Sequence, residues 1–145
     1  MAHPVSPYRD RQPGPYRAGV TGSRDWFRPH VIREALASVV DAHPDAVLIS
    51  GHAREGADML AEREWADLLG YRDADEAASA GRIERHAADV EMVASGADEL
   101  EVFARSCAIP TCPTPAAHDS HEAAECAQLA EEAGIPVTRY RYLGQ

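Results

Sequence analysis

Residues 21–26 of the chain read TGSRDW, and they follow directly on a short apolar stretch at 16–20, YRAGV. A turn at the end of a strand needs the glycine and the serine, whereas the arginine and the tryptophan add chemistry that a turn does not require. Gly22 and Ser23 let backbone N–H groups approach an anion, and Arg24 adds a fork of donors for phosphate or carboxylate. The stretch therefore predicts a ligand loop at the end of the first strand.

The same six residues also fit an ordinary tight turn. In that alternative, Arg24 pairs with Asp25 or with another neighbour, and no ligand is involved. Trp26 is expected to pack over the first helix in preference to stacking on a nucleobase. Residue chemistry alone leaves ligand binding and a plain turn open.

A similar order of residue types follows the second predicted strand. Residues 46–50, AVLIS, form the continuous apolar run typical of a strand covered on both faces, and GHAREGAD follows at 51–58. A glycine, a basic residue and a second glycine before a helix resemble a phosphate-binding turn, although neither GxGxxG nor a P-loop is present. The candidate ligand contacts are Gly51, Arg54, Gly56 and Asp58. The Asp58 carboxylate either stabilises the helix N-terminus or accepts a ribose hydroxyl.

The rest of the chain alternates helices with short strands. Helices are predicted at 28–43, 57–70, 88–96 and 122–134, and further strands at 82–86, 100–104 and 135–142, the first of these polar enough for a sheet edge. Residues 71–81 are interpreted as a loop or a weak extension of the second helix. The alternation predicts an α/β fold, a Rossmann-like open sheet that is mainly parallel, with helices on both faces. Both glycine loops then lie at the carboxyl ends of strands, where such sheets bind ligands.

Length and charge limit the classes of partner. The 145 residues predict a single domain over 16–145, preceded by a disordered lead-in at 1–15. A net charge of -10, from 24 acidic and 14 basic residues, argues against direct binding of DNA or RNA. Neither an apolar stretch long enough to span a membrane nor the apolar core of a secretory signal is present, so a cytoplasmic location is expected.

A long predicted loop carries a second cluster of chemistry-bearing residues. Cys107, Cys112, His118 and His121 have the spacing C-x4-C-x5-H-x2-H, and two thiolates with two imidazoles can close a tetrahedral zinc site. The spacing does not match the standard zinc-knuckle patterns, and the alternative is ordinary cysteines with exposed loop histidines. Cys126, in the next helix, is interpreted as a buried apolar thiol.

Four stretches together resemble the YspA-like branch of the SLOG superfamily, which also contains the DprA/SMF proteins and the cytokinin-activating LOG hydrolases. They are YRAGVTGSRDW at 16–26, HPDAVLISGHAREGAD at 43–58, VASGADE at 93–99 and SHEAAECAQLAEEAGIPVTRY at 120–140. The resemblance implies a Rossmann-like domain whose strand-end loops hold a nucleotide or a nucleotide-derived small molecule. It also implies that Gly22, Ser23, Arg24, Gly51, Arg54, Gly56 and Asp58 contact that ligand, and that homo-oligomers are one expected state.

The sequence departs from the family pattern in ways that weaken phosphate binding. Glu55 is inserted between Arg54 and Gly56, where relatives pass directly from arginine to glycine. The last loop reads Ser-His-Glu-Ala at 120–123, where relatives have a glycine and a threonine, and an Arg-Asn segment before the methionine-containing helix is absent. These changes add carboxylates or remove donors, and a carboxylate near a phosphate is repulsive.

Three functions follow from the residues and the resemblance. The first is a module that binds or senses a nucleotide-derived ligand, and the second is a structural or protein-interaction domain that keeps the fold without the pocket. The third, a LOG-like N-glycosidase or phosphoribohydrolase, lacks the expected Pro-Gly-Gly-x-Gly-Thr-x-x-Glu motif. No nucleophile elbow or metal-hydrolase signature appears, so a non-enzymatic role is favoured.

Overall fold

The structure, a computed structural model, describes residues 14–51, 55–105 and 121–142. Most of the predicted lead-in at 1–15 therefore lies outside the described residues. The strands are β1 (Arg17–Gly22), β2 (Val47–Ser50), β3 (Ile83–Arg85), β4 (Glu99–Arg105) and β5 (Val137–Tyr142). The helices are α1 (Pro29–Ala42), α2 (Ala57–Leu69), α3 (Ala74–Ser79), α4 (Asp89–Ser95) and α5 (His121–Glu132). None of these helices is long and apolar enough to cross a membrane.

The described strands form one sheet in the order β3-β2-β1-β4-β5. Every pairing between them is parallel, and at the centre Gly19 is in register with Ile49 of β2 and Leu100 of β4. The chain order reverses between β1 and β4, which is the switch point at which doubly wound sheets open a crevice for ligands. The predicted Rossmann-like fold is confirmed, and the crevice falls next to the first glycine loop.

Helices cover both faces of the sheet. On one face, α1, α2 and α3 pack on Ala18 and Val20 of β1, Leu48 of β2 and Phe103 of β4. On the other face, α4 and α5 pack on the alternate residues of β2 and β4, which are Val47, Ile49, Leu100, Val102 and Ala104. Because side chains of a strand alternate between faces, the apolar runs in β2 and β4 supply both cores at once.

Within residues 71–81, where a loop or a weak extension of the second helix was predicted, Ala74–Ser79 form the separate short helix α3. Gly70, with φ +85°, ends α2 in the left-handed conformation. The Asp73 carboxylate then accepts a hydrogen bond from the Glu76 backbone N–H at 2.8 Å, and the Glu76 carboxylate accepts one from the Arg72 N–H at 2.8 Å. This reciprocal cap explains why a new helix starts after the break.

Arg17 ties the start of β1 to β3 and to the turn before β4. Its guanidinium donates to both carboxylate oxygens of Glu84, at 2.9 and 2.7 Å, and its Nε donates to the Gly96 carbonyl at 2.7 Å. His86 adds a contact of 2.6 Å to the same carboxylate. Hydrogen bonding from Arg17 is the main cause that lowers the pKa of Glu84 to about 2, against the opposing effect of partial burial.

The pH dependence of stability tests the contact between Arg17 and Glu84. Because the pKa of Glu84 is lowered from 4.5 to about 2 in the folded protein, its stabilising contribution is present above pH 4.5 and is lost as the pH falls toward 2. We expect Glu84→Gln to make the decline in unfolding free energy between pH 4.5 and 2 shallower than in the wild type, measured by urea denaturation. Glu34→Gln, at an exposed position of α1, is the control and should keep the wild-type decline. A wild-type decline in Glu84→Gln would contradict the assignment.

Candidate functional site at the carboxyl edge

The two glycine loops touch each other at the carboxyl edge of the sheet. A Cβ atom placed on Gly56 would lie 2.4 Å from backbone atoms of Arg24. Beside this contact, the Ala57 N–H donates to the Ser23 carbonyl at 3.1 Å, so the start of α2 is bonded to the first loop. The expected convergence of the two loops is therefore present in the fold.

Gly56 is required by conformation as well as by space. Its φ of +74° and ψ of -148° lie in a region that residues with a side chain rarely adopt. Two other glycines are also in close contact. A Cβ on Gly22 would lie 2.1 Å from the Phe103 carbonyl oxygen, and one on Gly51 would lie 2.7 Å from the Asp58 carboxylate. These contacts show why the loops carry glycine, and they are contacts within the protein.

Ser23 fastens the first loop to its neighbours and is only 1% exposed. Its backbone N–H donates to the Phe103 carbonyl at 2.9 Å, and its hydroxyl accepts from the Arg105 N–H at 2.8 Å. Its carbonyl accepts from the N–H groups of Trp26 and Ala57, each at 3.1 Å. The Ser23 backbone N–H, which was predicted to approach a phosphate, is thus hydrogen-bonded within the protein.

Arg24 and Asp25 point outward and do not pair with each other. Asp25 lies 3.4 Å from the Arg105 guanidinium. Arg24 is exposed, and its side chain makes no hydrogen bond or ion pair with a residue in the described ranges. The pairing of Arg24 with Asp25 is therefore absent, whereas the tight turn itself is present, since the Trp26 N–H donates to the Ser23 carbonyl at 3.1 Å.

The aromatic residues of the first loop divide between core and surface. Trp26 is 4% exposed, donates its Nε1–H to the Arg28 carbonyl at 3.0 Å and packs on Phe103, which confirms its packing role. Phe27 was not among the predicted site residues, and its side chain is 52% exposed. The guanidinium carbon of Arg105 lies 5.2 Å from the Phe27 ring centroid. The consecutive aromatic residues Trp26 and Phe27 could have indicated an exposed ring, because two consecutive residues at the end of a loop seldom both face the core.

Two carboxylates lie near the Cys126 thiol, behind the glycine loops. Asp58 lies in the first turn of α2 and Asp89 is the first residue of α4. Both contribute to raising the pKa of the Cys126 thiol to about 12, although burial is the largest cause and hydrogen bonding with Thr21 opposes the rise. Asp89 was not among the predicted site residues, because only the strand order shows that α4 starts at the same edge as α2.

Cys126 is a free and fully buried thiol, as predicted. Its raised pKa keeps it protonated at neutral pH, which makes it a poor nucleophile and a poor metal ligand.

The predicted zinc site falls largely outside the described residues, since Cys107, Cys112 and His118 are not described and His121 is the exposed first residue of α5. Arg54, a predicted ligand contact, also lies outside the described residues. Within the described ranges, no three histidine, cysteine or acidic side chains are placed to hold a metal ion, and the zinc site stays a prediction.

A pair of alanine substitutions tests whether the two loops depend on their close contact. We expect Gly56→Ala to lower the unfolding free energy by about 3 kcal/mol, because it combines a forbidden backbone conformation with a clash against Arg24. Gly70→Ala is the matched control. Gly70 also has a positive φ, but a Cβ there meets nothing within 4 Å, so only the left-handed backbone cost of about 1 kcal/mol is expected. Equal losses in urea denaturation of the two variants would contradict the close approach of the loops.

Comparison of the sequence with known proteins identifies the family of the chain. The sequence model of the YspA, cpYpsA-related SLOG family matches residues 19–91, which is half of the chain. The matched span begins within β1, ends in the first turn of α4 and contains both glycine loops. No curated protein and no solved structure matches the chain significantly. The chain belongs to the YspA, cpYpsA-related SLOG family.

Proposed function

We propose that the protein binds a nucleotide or a nucleotide-derived small molecule at the carboxyl edge of its sheet. Family membership supports a nucleotide-related ligand-binding domain. The single observation that carries the proposal is the contact of Gly56 with the Arg24 backbone beside the switch point between β1 and β4. That contact puts an exposed arginine next to a helix N-terminus, and both groups attract anions.

The phosphate of the ligand is assigned to Arg24 and to the start of α2. The N-cap residue of α2 is Gly56, so no side chain caps this helix. The Ala57 N–H is bonded to the Ser23 carbonyl, so the helix N-terminus is proposed to attract the anion through its dipole, and the arginine fork adds a charge-assisted pair. Arg54, which lies outside the described residues, is proposed as a second cation for the same group.

The ribose is assigned to the acidic side of the crevice. Carboxylates accept hydrogen bonds from hydroxyl groups and repel phosphates, and Asp58 and Asp89 both lie behind the loops. The exposed Glu55 adds a third negative charge beside Gly56. This balance favours a ligand with one or two phosphates, such as AMP or ADP-ribose, over a triphosphate.

The base is assigned to Phe27. Its ring is half exposed at the same edge, and the guanidinium groups of Arg105 and Arg28 lie 5.2 and 5.4 Å from its centroid. Stacking of a nucleobase on an aromatic ring contributes about 1–3 kcal/mol and tolerates any base. Phe27 is therefore proposed to stack on the nucleobase, the role that the sequence left as the less favoured alternative for Trp26.

A domain that keeps the fold without the pocket is the competing proposal. Two observations favour it: the Ser23 N–H and hydroxyl are engaged within the protein, and Glu55 stands where a phosphate would approach. The glycosidase alternative has no support of this kind. A cytoplasmic location and a homo-oligomeric state remain predictions.

Calorimetric titration and thermal shift with AMP, ADP-ribose and NAD test the proposal. A ligand at 100 times its Kd should stabilise the protein by about 2.7 kcal/mol. We expect Arg24→Ala to weaken AMP binding by about tenfold to a hundredfold, because a charge-assisted hydrogen bond contributes about 1.5–3 kcal/mol. Phe27→Ala should weaken AMP binding but leave ribose 5-phosphate binding unchanged.

Arg72→Ala is the matched control for charge. The Arg72 side chain is 80% exposed and follows the far end of α2, so its removal should not change the affinity. The absence of binding by all three nucleotides would favour the competing proposal. Wild-type affinity in Arg24→Ala would remove the first loop from the binding site.

A further inference from the structure

A cavity of about 170 Å³ lies away from the glycine loops, between α1 and the strands β4 and β5. Glu99 and Glu101 of β4 and Tyr140 of β5 line one side. The opposite wall is formed by the C-terminal half of α1, with Val39, Ala42 and the residue that follows the helix, His43. No lysine or arginine is among the described residues that line this cavity.

The strand geometry explains how two carboxylates come to lie under a helix. Side chains alternate along β4, so Glu99, Glu101 and Phe103 share the face that α1 covers. Tyr140 stacks on Phe103, with 4.8 Å between the ring centroids. Because α1 runs opposite to the strands, its C-terminal half lies over the amino-terminal half of β4. The cavity is therefore remote from the glycine loops, which follow the carboxyl ends of the strands.

Glu101 is the unusual member of the cluster. It is only 5% exposed, and its Oε2 atom accepts no hydrogen bond from the part of the chain that the structure describes. Glu99, two residues earlier, accepts a hydrogen bond from the Tyr16 hydroxyl at 2.7 Å. Two carboxylates with no lysine or arginine among the described residues of their cavity are costly to bury, and a mobile cation or a bound proton relieves that cost.

The surrounding groups keep Glu101 protonated in the empty protein at neutral pH. Burial raises its pKa to about 8, a hydrogen bond to the Glu99 carboxylate and the charge of Glu99 act in the same direction, and hydrogen bonding from the Tyr140 hydroxyl opposes them. The pKa of Tyr140 is raised to about 12 by burial and by Glu101. His43 is the titratable group that faces the pair from α1, and its ring stacks on Tyr16 at 3.6 Å.

We propose that this cavity binds a small alkylammonium ion, with its N–H donors on the Glu101 and Glu99 carboxylates and its carbon chain against Val39, Ala42 and the Tyr140 ring. An ammonium group supplies the hydrogen-bond donors and the positive charge that the carboxylate pair lacks. The apolar wall of α1 suits methylene groups. The volume equals that of about six water molecules, which accommodates a chain of roughly four carbons with its nitrogen.

An amine fits these residues better than a metal ion. In the described ranges no three acidic, histidine or cysteine side chains are arranged as metal ligands, so His43 does not complete a set with the two glutamates. A divalent cation bound by oxygen needs at least six ligands or retained waters, and half of this cavity is apolar. An ammonium ion needs only three acceptors.

Binding of the ion is coupled to a proton. Glu101 must release its proton to the buffer to pair with an ammonium ion, so affinity rises with pH until the carboxyl group is already ionised. Below pH 8 this gives a gain of up to about tenfold in affinity for each pH unit, and the gain ends above that value.

The test is calorimetric titration of the full chain with n-butylammonium chloride at pH 6.5 and 8.5. We expect saturable binding that is more than tenfold tighter at pH 8.5, and no binding of 1-butanol, which has the same shape without the charge. Glu101→Gln should lower the affinity for butylammonium by at least tenfold. This variant should fold, because the amide has the shape of the protonated carboxyl group.

Glu34→Gln, on the exposed side of α1, is the control and should bind butylammonium as the wild type does. Tyr140→Phe keeps both carboxylates and the ring but removes the hydroxyl that opposes the rise in the Glu101 pKa, so the rise in affinity should extend to a higher pH than in the wild type. Equal binding to the wild type and Glu101→Gln, equal binding of 1-butanol, or no binding at all would each overturn the proposal. Binding of MgCl₂ that is lost in Glu101→Gln, without binding of butylammonium, would replace the amine by a metal ion.

Discussion

The contact between the Gly56 backbone and the Arg24 backbone is the constraint on which the carboxyl edge depends. It requires two positions without side chains, Gly22 and Gly56, because a Cβ at either one would overlap neighbouring atoms. Once the contact is made, the Ser23 carbonyl receives the first N–H of α2, and β1, β4 and α2 are joined at one point. The exposed Arg24 side chain, the start of α2 and the half-exposed Phe27 ring lie around this point of contact.

The same sheet presents different chemistry at its two ends. At the carboxyl edge, arginine side chains and helix N-termini offer positive charge, with acidic groups behind them. Under the C-terminal half of α1, two carboxylates meet a phenol, an imidazole and an apolar wall, and no lysine or arginine is among the described residues that line the cavity. The first arrangement suits an anionic ligand with hydroxyl groups, and the second suits a small cation. Under the two proposals, a chain with a net charge of -10 binds an anion at one end of the sheet and a cation at the other.

Local patterns predicted most of the fold, because each strand and helix carries its own periodicity and the glycine loops mark the carboxyl ends. The α3 helix was missed, although the Asp73 and Glu76 pair that caps it stands in the sequence. Other features depend on contacts between distant segments. The approach of Asp89 to Asp58 depends on the strand order, and the inward orientation of Glu101 was hidden in LEVFA, which reads as a plain apolar strand. The engagement of Ser23 by Phe103 and Arg105 links residues about 80 positions apart, a pairing that no local pattern indicates.

The most direct test of the central claim is an amide NMR titration of the ¹⁵N-labelled chain with ADP-ribose. If the joined glycine loops form the ligand site, the backbone amides that shift with ligand concentration will be those of residues 22–27, Gly51, Gly56 and the first turn of α2. Amides of β5 and of the C-terminal half of α1 will stay unchanged. Shifts confined to those latter segments, or no shifts at saturating ligand, would contradict the account.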